Sequence, residues 1–152
     1  MTNKLIECIP NFSEGQDSEI IQKIIHTLHS TKNIQVLDKH SDIDHNRTVV
    51  TFIGPPEDVQ DAAFQVIKVA GELINLDQHK GSHPRIGATD VIPLVPISDT
   101  SINECIQISK TLAEKVGSEL SIPVYLYEES ALIPERRNLE KIRKGEYELL
   151  KN

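Results

Sequence analysis

A chain of 152 residues has the length of one domain, taken here as residues 1–152, and it can bury roughly 68–70% of its unfolded surface without disulfide or metal staples. Its net charge of −7 argues against a nucleic-acid binder, which normally presents a basic face. No apolar run approaches the ~20 residues of a membrane span, and nothing after Met1-Thr2-Asn3-Lys4 resembles a signal peptide.

Leu5 to Ile9 is an apolar run stopped by Pro10 and predicts a first strand, followed by a polar turn, Asn11-Phe12-Ser13-Glu14-Gly15. Ile20, Ile21, Ile24, Ile25 and Leu28 recur at helical spacing, with Asp17 and Glu19 in the first turn. Ile34, Val36 and Leu37 mark a second strand, and Ser41 to Asn46 a turn. Thr48 to Ile53, β-branched and aromatic, is a third strand pairing with the second as a hairpin. Gly54-Pro55-Pro56-Glu57-Asp58 opens a helix with proline at the entry and acids facing the dipole, and the stripe from Val59 to Ile74 continues it. Val91 to Ile97 is a fourth strand whose Pro93 and Pro96 demand an exposed edge or a bulge. Ser101 with Glu104 reads as a capping box for a third helix through Val116. Ile122 to Leu126 predicts a fifth strand and Glu135 to Lys144 a short charged helix, while the tail from Glu146 to Asn152 is polar enough to fray. Cys8 and Cys105 sit in apolar patterns and predict buried free thiols, which together with the missing leader suggests the cytoplasm. The order βαββαβ predicts an α+β, ferredoxin-like fold: an antiparallel sheet with helices on one face, plus an additional helix and strand. Its other face would be open to a second domain or chain.

The chemistry concentrates in Asp77-Gln78-His79-Lys80-Gly81-Ser82-His83-Pro84-Arg85-Ile86-Gly87. A link this long in a compact domain is usually functional or disordered, and this one is dense in capable side chains. Pro84 biases His83 away from helix, so His79 and His83 do not form a helical zinc-protease pair. His83 is read either as a general base or as a solvated loop histidine. His79 is either a ligand contact or a cation at a helix end. Arg47 can grip a carboxylate by two hydrogen bonds or pair with a nearby aspartate. His40, His45, His79 and His83 with Asp38, Asp42 and Asp44 offer metal-ligating atoms but no metal-site spacing, so no metal is expected.

Five segments resemble the glutamate formiminotransferase family: Cys8 to Gly15; Asn46-Arg47-Thr48-Val49 with Phe52 to Glu57; His83 to Val91; Val124-Tyr125-Leu126-Tyr127; and Arg143 to Glu148. The resemblance runs in order over nearly the whole chain. It implies transfer of a formimino group from N-formiminoglutamate to N5 of tetrahydrofolate, the cosubstrate, in histidine degradation. Some relatives move a formyl group instead. The family's transferase has two similar ferredoxin-like halves, and the chain resembles the first. The family's catalytic histidine falls on His83. Asn11, His40, Asn46, Arg47, His79, Lys80, Arg85 and Gly87 are the expected substrate and folate contacts. The expected partners are these two substrates and either a second transferase half or another copy on the open sheet face. The rival reading is a half-domain that binds folate or a partner without chemistry.

Overall fold

The structure, a computed structural model, describes residues 3–150. Expectations that fall on Met1, Thr2, Lys151 and Asn152 lie outside the described residues.

The protein is α+β with an antiparallel sheet. β1 (Leu5–Cys8) and β2 (Asn11–Phe12) are one line of chain interrupted at Ile9–Pro10. Both pair with β4 (Arg47–Gly54) in a single register: Cys8 faces Phe52 and Asn11 faces Val49. Pro10 has no N–H to give, yet its carbonyl still accepts from Val50 N at 3.1 Å. On the far side of that line lie β5 (Thr89–Val91) against β2 and β6 (Leu94–Ser98) against β1. β3 (Gln35–Asp42) pairs with the outer side of β4, through a bulge between Val36 and Asp38.

Strand alternation divides the sheet into two faces. Ile6, Cys8, Phe12, Val50 and Phe52 point to one side and are fully buried. α1 (Ser18–His29) covers them with Ile24 and Leu28, and α2 (Pro56–Leu73) with Val59, Ala62, Ala63, Val66 and Ala70. α1 starts where the Asp17 carboxylate accepts from Glu19 N and Ile20 N; α2 starts on proline, with no side-chain cap. α3 (Ile102–Lys115) adds Cys105 and Leu112 to the core. Its capping box is half made: Ser101 Oγ accepts from Glu104 N, but the Glu104 carboxylate pairs with Lys4 at 3.3 Å. The opposite face carries Val49, Thr51 and Ile53, partly exposed, and Val95 across from Glu7. Cys8 and Cys105 are free and buried, and burial pushes both thiols up.

Several elements differ from the sequence reading. β3 runs through Ser41 and Asp42, because Ser41 Oγ pairs with Thr48 Oγ1 across the hairpin, and the turn shrinks to 43–46. The fourth strand is split into β5 and β6 at Ile92–Pro93. Ile122 to Leu126 joins no ladder among the described residues, and Pro123 removes one of the donors that a ladder needs. The charged helix is a 3₁₀ turn at Pro134–Arg136 and then α4 (Leu139–Arg143), because Asn138 caps a new start through Glu140 N. The tail does not fray up to its last described residue: Glu146–Leu150 is α5, and its acids reach back to Arg85.

The turn before the β3–β4 hairpin's return and the two site loops meet edge to edge. A Cβ on Gly81 would run into the His45 carbonyl. One on Gly15 would lie 2.5 Å from Arg47 N and 2.8 Å from Arg47 O. Only glycine allows backbone this close to backbone. Gly15→Ala should therefore lower stability by about 1–3 kcal/mol, read as a fall in the urea midpoint. Gly117→Ala, where a Cβ meets nothing within 4 Å, should leave the midpoint unchanged or raise it.

Candidate functional site

His83 lies on a non-helical link between α2 and β5, with its ring half-buried. Its Nδ1 is 2.7 Å from the carbonyl oxygen of Pro84. A carbonyl only accepts, so Nδ1 carries the proton and the lone pair of the neutral ring sits on Nε2. No described residue hydrogen-bonds to Nε2. The Nδ1 bond thus sets the tautomer that a general base needs. Burial holds the His83 pKa below the ordinary histidine value, the Pro84 bond opposes this, and the nearby charges of Arg47 and Arg143 lower it further, partly offset by Asp90. The ring of His45 meets it edge-on, 6.1 Å between centroids. His45 is itself held by Asp42, 2.9 Å from Nδ1 to Oδ2.

The loop that carries His83 is tied, through Ile86 N, to a buried ion cluster. Asp90 Oδ2 accepts from Arg47 Nη1 at 3.1 Å and from Arg143 Nη2 at 2.7 Å. Asp90 Oδ1 takes Ile86 N at 2.6 Å and Gly87 N at 3.3 Å. The side chains of Arg47, Asp90 and Arg143 are 8%, 0% and 16% exposed. Arg47 Nε also donates to Asn11 Oδ1 at 3.1 Å, while the Asn11 amide N–H₂ donates to the Ile9 carbonyl. Register explains the meeting: Asn11 and Arg47 point to the face opposite the core, and Asp90 sits on the adjoining β5. Burial pulls the Arg47 pKa down and Asp90 raises it again; an arginine remains charged throughout.

The other expected contacts form a brace around this cluster. His79 Nδ1 accepts from Arg85 Nε at 2.9 Å, so its proton is on Nε2, which gives it to the Asn46 carbonyl at 3.0 Å. His79 thus holds the opposite tautomer from His83. Arg85 is buried and makes a two-point pair with Glu148, 2.6 and 2.7 Å, plus a 3.3 Å contact with Glu146. Asn46, at a φ of 51°, accepts from Gly15 N at 2.7 Å and donates to the Lys80 carbonyl at 3.2 Å. Lys80 is exposed and, among the described residues, makes no ion pair. Gly87 contributes backbone only, its carbonyl taking the Ser13 hydroxyl at 2.7 Å. His40 is on the same sheet face but exposed, across Val49 from Asn11, and so roughly two strand spacings, about 10 Å, away.

The fold thus brings together Asn11, Arg47 and His83, and it braces them with Asn46, His79, Arg85 and Gly87; His40 stands apart. The sequence reading missed Asp90 and Arg143, although both lie inside segments that carry the family resemblance. It saw His45 only as a candidate metal ligand. Among the described residues no three His, Cys, Asp or Glu side chains converge as a metal set. A cavity of about 1030 Å³ opens on the other side of Asp90, between α3, β5–β6 and the 122–130 segment, with Tyr127 on its wall. Burial pushes the Tyr127 hydroxyl up to about 12. Neither His83 nor Arg47 lines this cavity, so its volume does not locate the proton-transfer group. What the His83 cluster can do chemically is take a proton at Nε2 beside two guanidinium groups that share one carboxylate.

The formiminotransferase domain, N-terminal subdomain, matches residues 5–152. A glutamate formimidoyltransferase of Streptococcus pyogenes is 51% identical over 145 residues, 95% of this chain and 48% of its own length. One from Thermoplasma acidophilum is 46% identical over 97% of the chain and 49% of its length. The formimidoyltransferase-cyclodeaminase of Rattus norvegicus is 43% identical over 97% of the chain and 27% of its length. The chain therefore spans about half the length, or less, of these curated relatives, and it belongs to the formiminotransferase domain family as an N-terminal subdomain.

Proposed function

We propose that the protein is the His83-bearing half of a glutamate formimidoyltransferase, moving a formimino group from N-formiminoglutamate to N5 of tetrahydrofolate in histidine degradation. The observation that carries this is the His83 tautomer: Nδ1–H engaged by Pro84 and Nε2 left as the base, within the field of Arg47 and Asp90. The names of the relatives supply the reaction class.

In this mechanism N5 attacks the formimino carbon and a tetrahedral intermediate forms. His83 Nε2 takes the N5 proton. The imidazolium then gives it to the departing glutamate nitrogen, the carbon–nitrogen bond breaks, and glutamate leaves with His83 neutral again. The depressed pKa suits the first step, because the ring is unprotonated at neutrality. Arg47 supplies positive charge for substrate carboxylates, with Lys80 exposed at the edge of the loop. His79, Asn46, Arg85 and Gly87 contribute by fixing the loop, and Asn11 by holding Arg47 in place. His40 sits where a longer substrate crossing the sheet face would pass. Tetrahydrofolate acts as cosubstrate, and the chemistry as drawn requires no metal.

The ladder order β3–β4–β1/β2–β5/β6 with α1 and α2 on one face supports the ferredoxin-like reading of the fold. Residues 1–152 then form one half-domain. Exposed Leu37, Val95 and Ile97 favour a docking partner, for which we take the second transferase half. Free buried thiols suit a reducing compartment, the cytoplasm; among the described residues no helix is long and apolar enough to cross a membrane.

Transfer should be weak for the chain alone and should appear when the remaining half of the Streptococcus pyogenes relative is added. No transfer by the mixture, with folate still bound, would instead favour a binding module. In the active mixture His83→Ala should reduce kcat by about 10²–10⁴-fold without changing the melting temperature. Because the base must be neutral in the free enzyme, kcat/KM should rise with pH, with its acid inflection below the ordinary histidine value of about 6.5. An inflection above that value would contradict the His83 assignment.

A further inference from the structure

We infer that Arg143, paired with Arg47 across Asp90, binds the α-carboxylate of the formimino donor beside His83; this rests on the transfer function proposed above.

The cluster is short of one negative charge. Two permanent cations, Arg47 and Arg143, share a single oxygen of a single carboxylate. The other Asp90 oxygen is taken by two backbone N–H groups. Arg85, only a few residues from Asp90, shows the contrast: Glu146 and Glu148 together surround it, and every nitrogen of its guanidinium has an acceptor. Arg143 does not reach that state, because its Nε is buried with no hydrogen-bond partner among the described residues. A buried charged donor without an acceptor is expensive, and nothing within the described residues supplies one. An incoming carboxylate would both balance the charge and accept from the guanidinium edge.

Position selects which carboxylate. His83 must return a proton to the departing nitrogen, so that nitrogen lies at Nε2. In N-formiminoglutamate the α-carboxylate is two bonds from this nitrogen. The side-chain carboxylate is further away, and the glutamyl tail of folate is at the far end of that molecule from N5. Ile86, three residues after His83, gives its N–H to the same Asp90 that both guanidinium groups hold, so Arg47 and Arg143 are tied to the His83 loop, on the side where the departing nitrogen and its α-carboxylate would lie. Arg143 touches substrate in this account, whereas Asp90 is a positioning residue that aligns both guanidinium groups.

The test is binding of N-formiminoglutamate without folate, so that no transfer occurs, followed by transfer kinetics with the second half present. Wild type should bind N-formiminoglutamate at least about 10-fold more tightly than its α-amide. Arg143→Gln should weaken donor binding about 10- to 100-fold, erase the preference over the α-amide, and raise KM for the donor while KM for tetrahydrofolate is unchanged. Arg143→Lys, which keeps the charge but not the planar fork, should recover part of the loss. Circular dichroism and melting temperature verify that each variant is folded. If folded Arg143→Gln keeps wild-type affinity and α-amide discrimination, the inference fails and the transfer function stands. If wild type neither binds the donor nor transfers from it in the mixture, the functional reading fails and the inference with it.

Discussion

One buried carboxylate organises this protein's site. Asp90 gathers donors from three places: Arg47 on β4, the backbone at Ile86–Gly87, and Arg143 at the end of α4. Taking a carboxylate out of water is costly unless its lone pairs are filled, and here four hydrogen bonds fill them. Removing the acid would strand two buried guanidinium groups, a loss of the kind worth about 3–5 kcal/mol. The segment that carries His83 is therefore held by the same interaction that collects the positive charge around it.

Two histidines four residues apart illustrate how neighbours assign chemistry. His79 is offered a donor, Arg85 Nε, and must accept at Nδ1. His83 is offered an acceptor, the Pro84 carbonyl, and must donate at Nδ1. The first ring ends with both nitrogens engaged in bracing Asn46 and Arg85. The second ends with its basic nitrogen directed away from its own partner. A parallel distinction separates the arginines. Arg85 is fully supplied with carboxylates from α5, while Arg47 and Arg143 divide one between them.

The sheet distributes these roles. Its core face is closed by α1 and α2, and its other face bears the Asn11–Arg47 pair at one end and partly exposed apolar side chains elsewhere. The relatives are about twice as long, and the apolar part of this face is continuous with the charged site, which is the basis of the docking proposed above for a second half. Glycine at positions 15 and 81 permits the hairpin turn to press against the loops that frame this end, so the site owes its shape to backbone packing as much as to side chains.

Periodicity and local stereochemistry were sufficient to read much of this from the residues. The 3.6-residue stripes of α1, α2 and α3, the β3–β4 hairpin, and the non-helical setting of His83 before Pro84 all depend on interactions within a few positions. Resemblance added the family and, for His83, the catalytic role that it implies. Tertiary structure alone decided the rest. Ile122 to Leu126 has a strand's composition, yet among the described residues no neighbouring edge pairs with it. Arg143 reads as one charge of a short charged helix and the acids after it as a fraying tail. Their partners lie 53 and 63 residues away, at Asp90 and Arg85. A guanidinium and a carboxylate so far apart in the chain leave no periodic trace; only the folded path determines whether each meets water or the other.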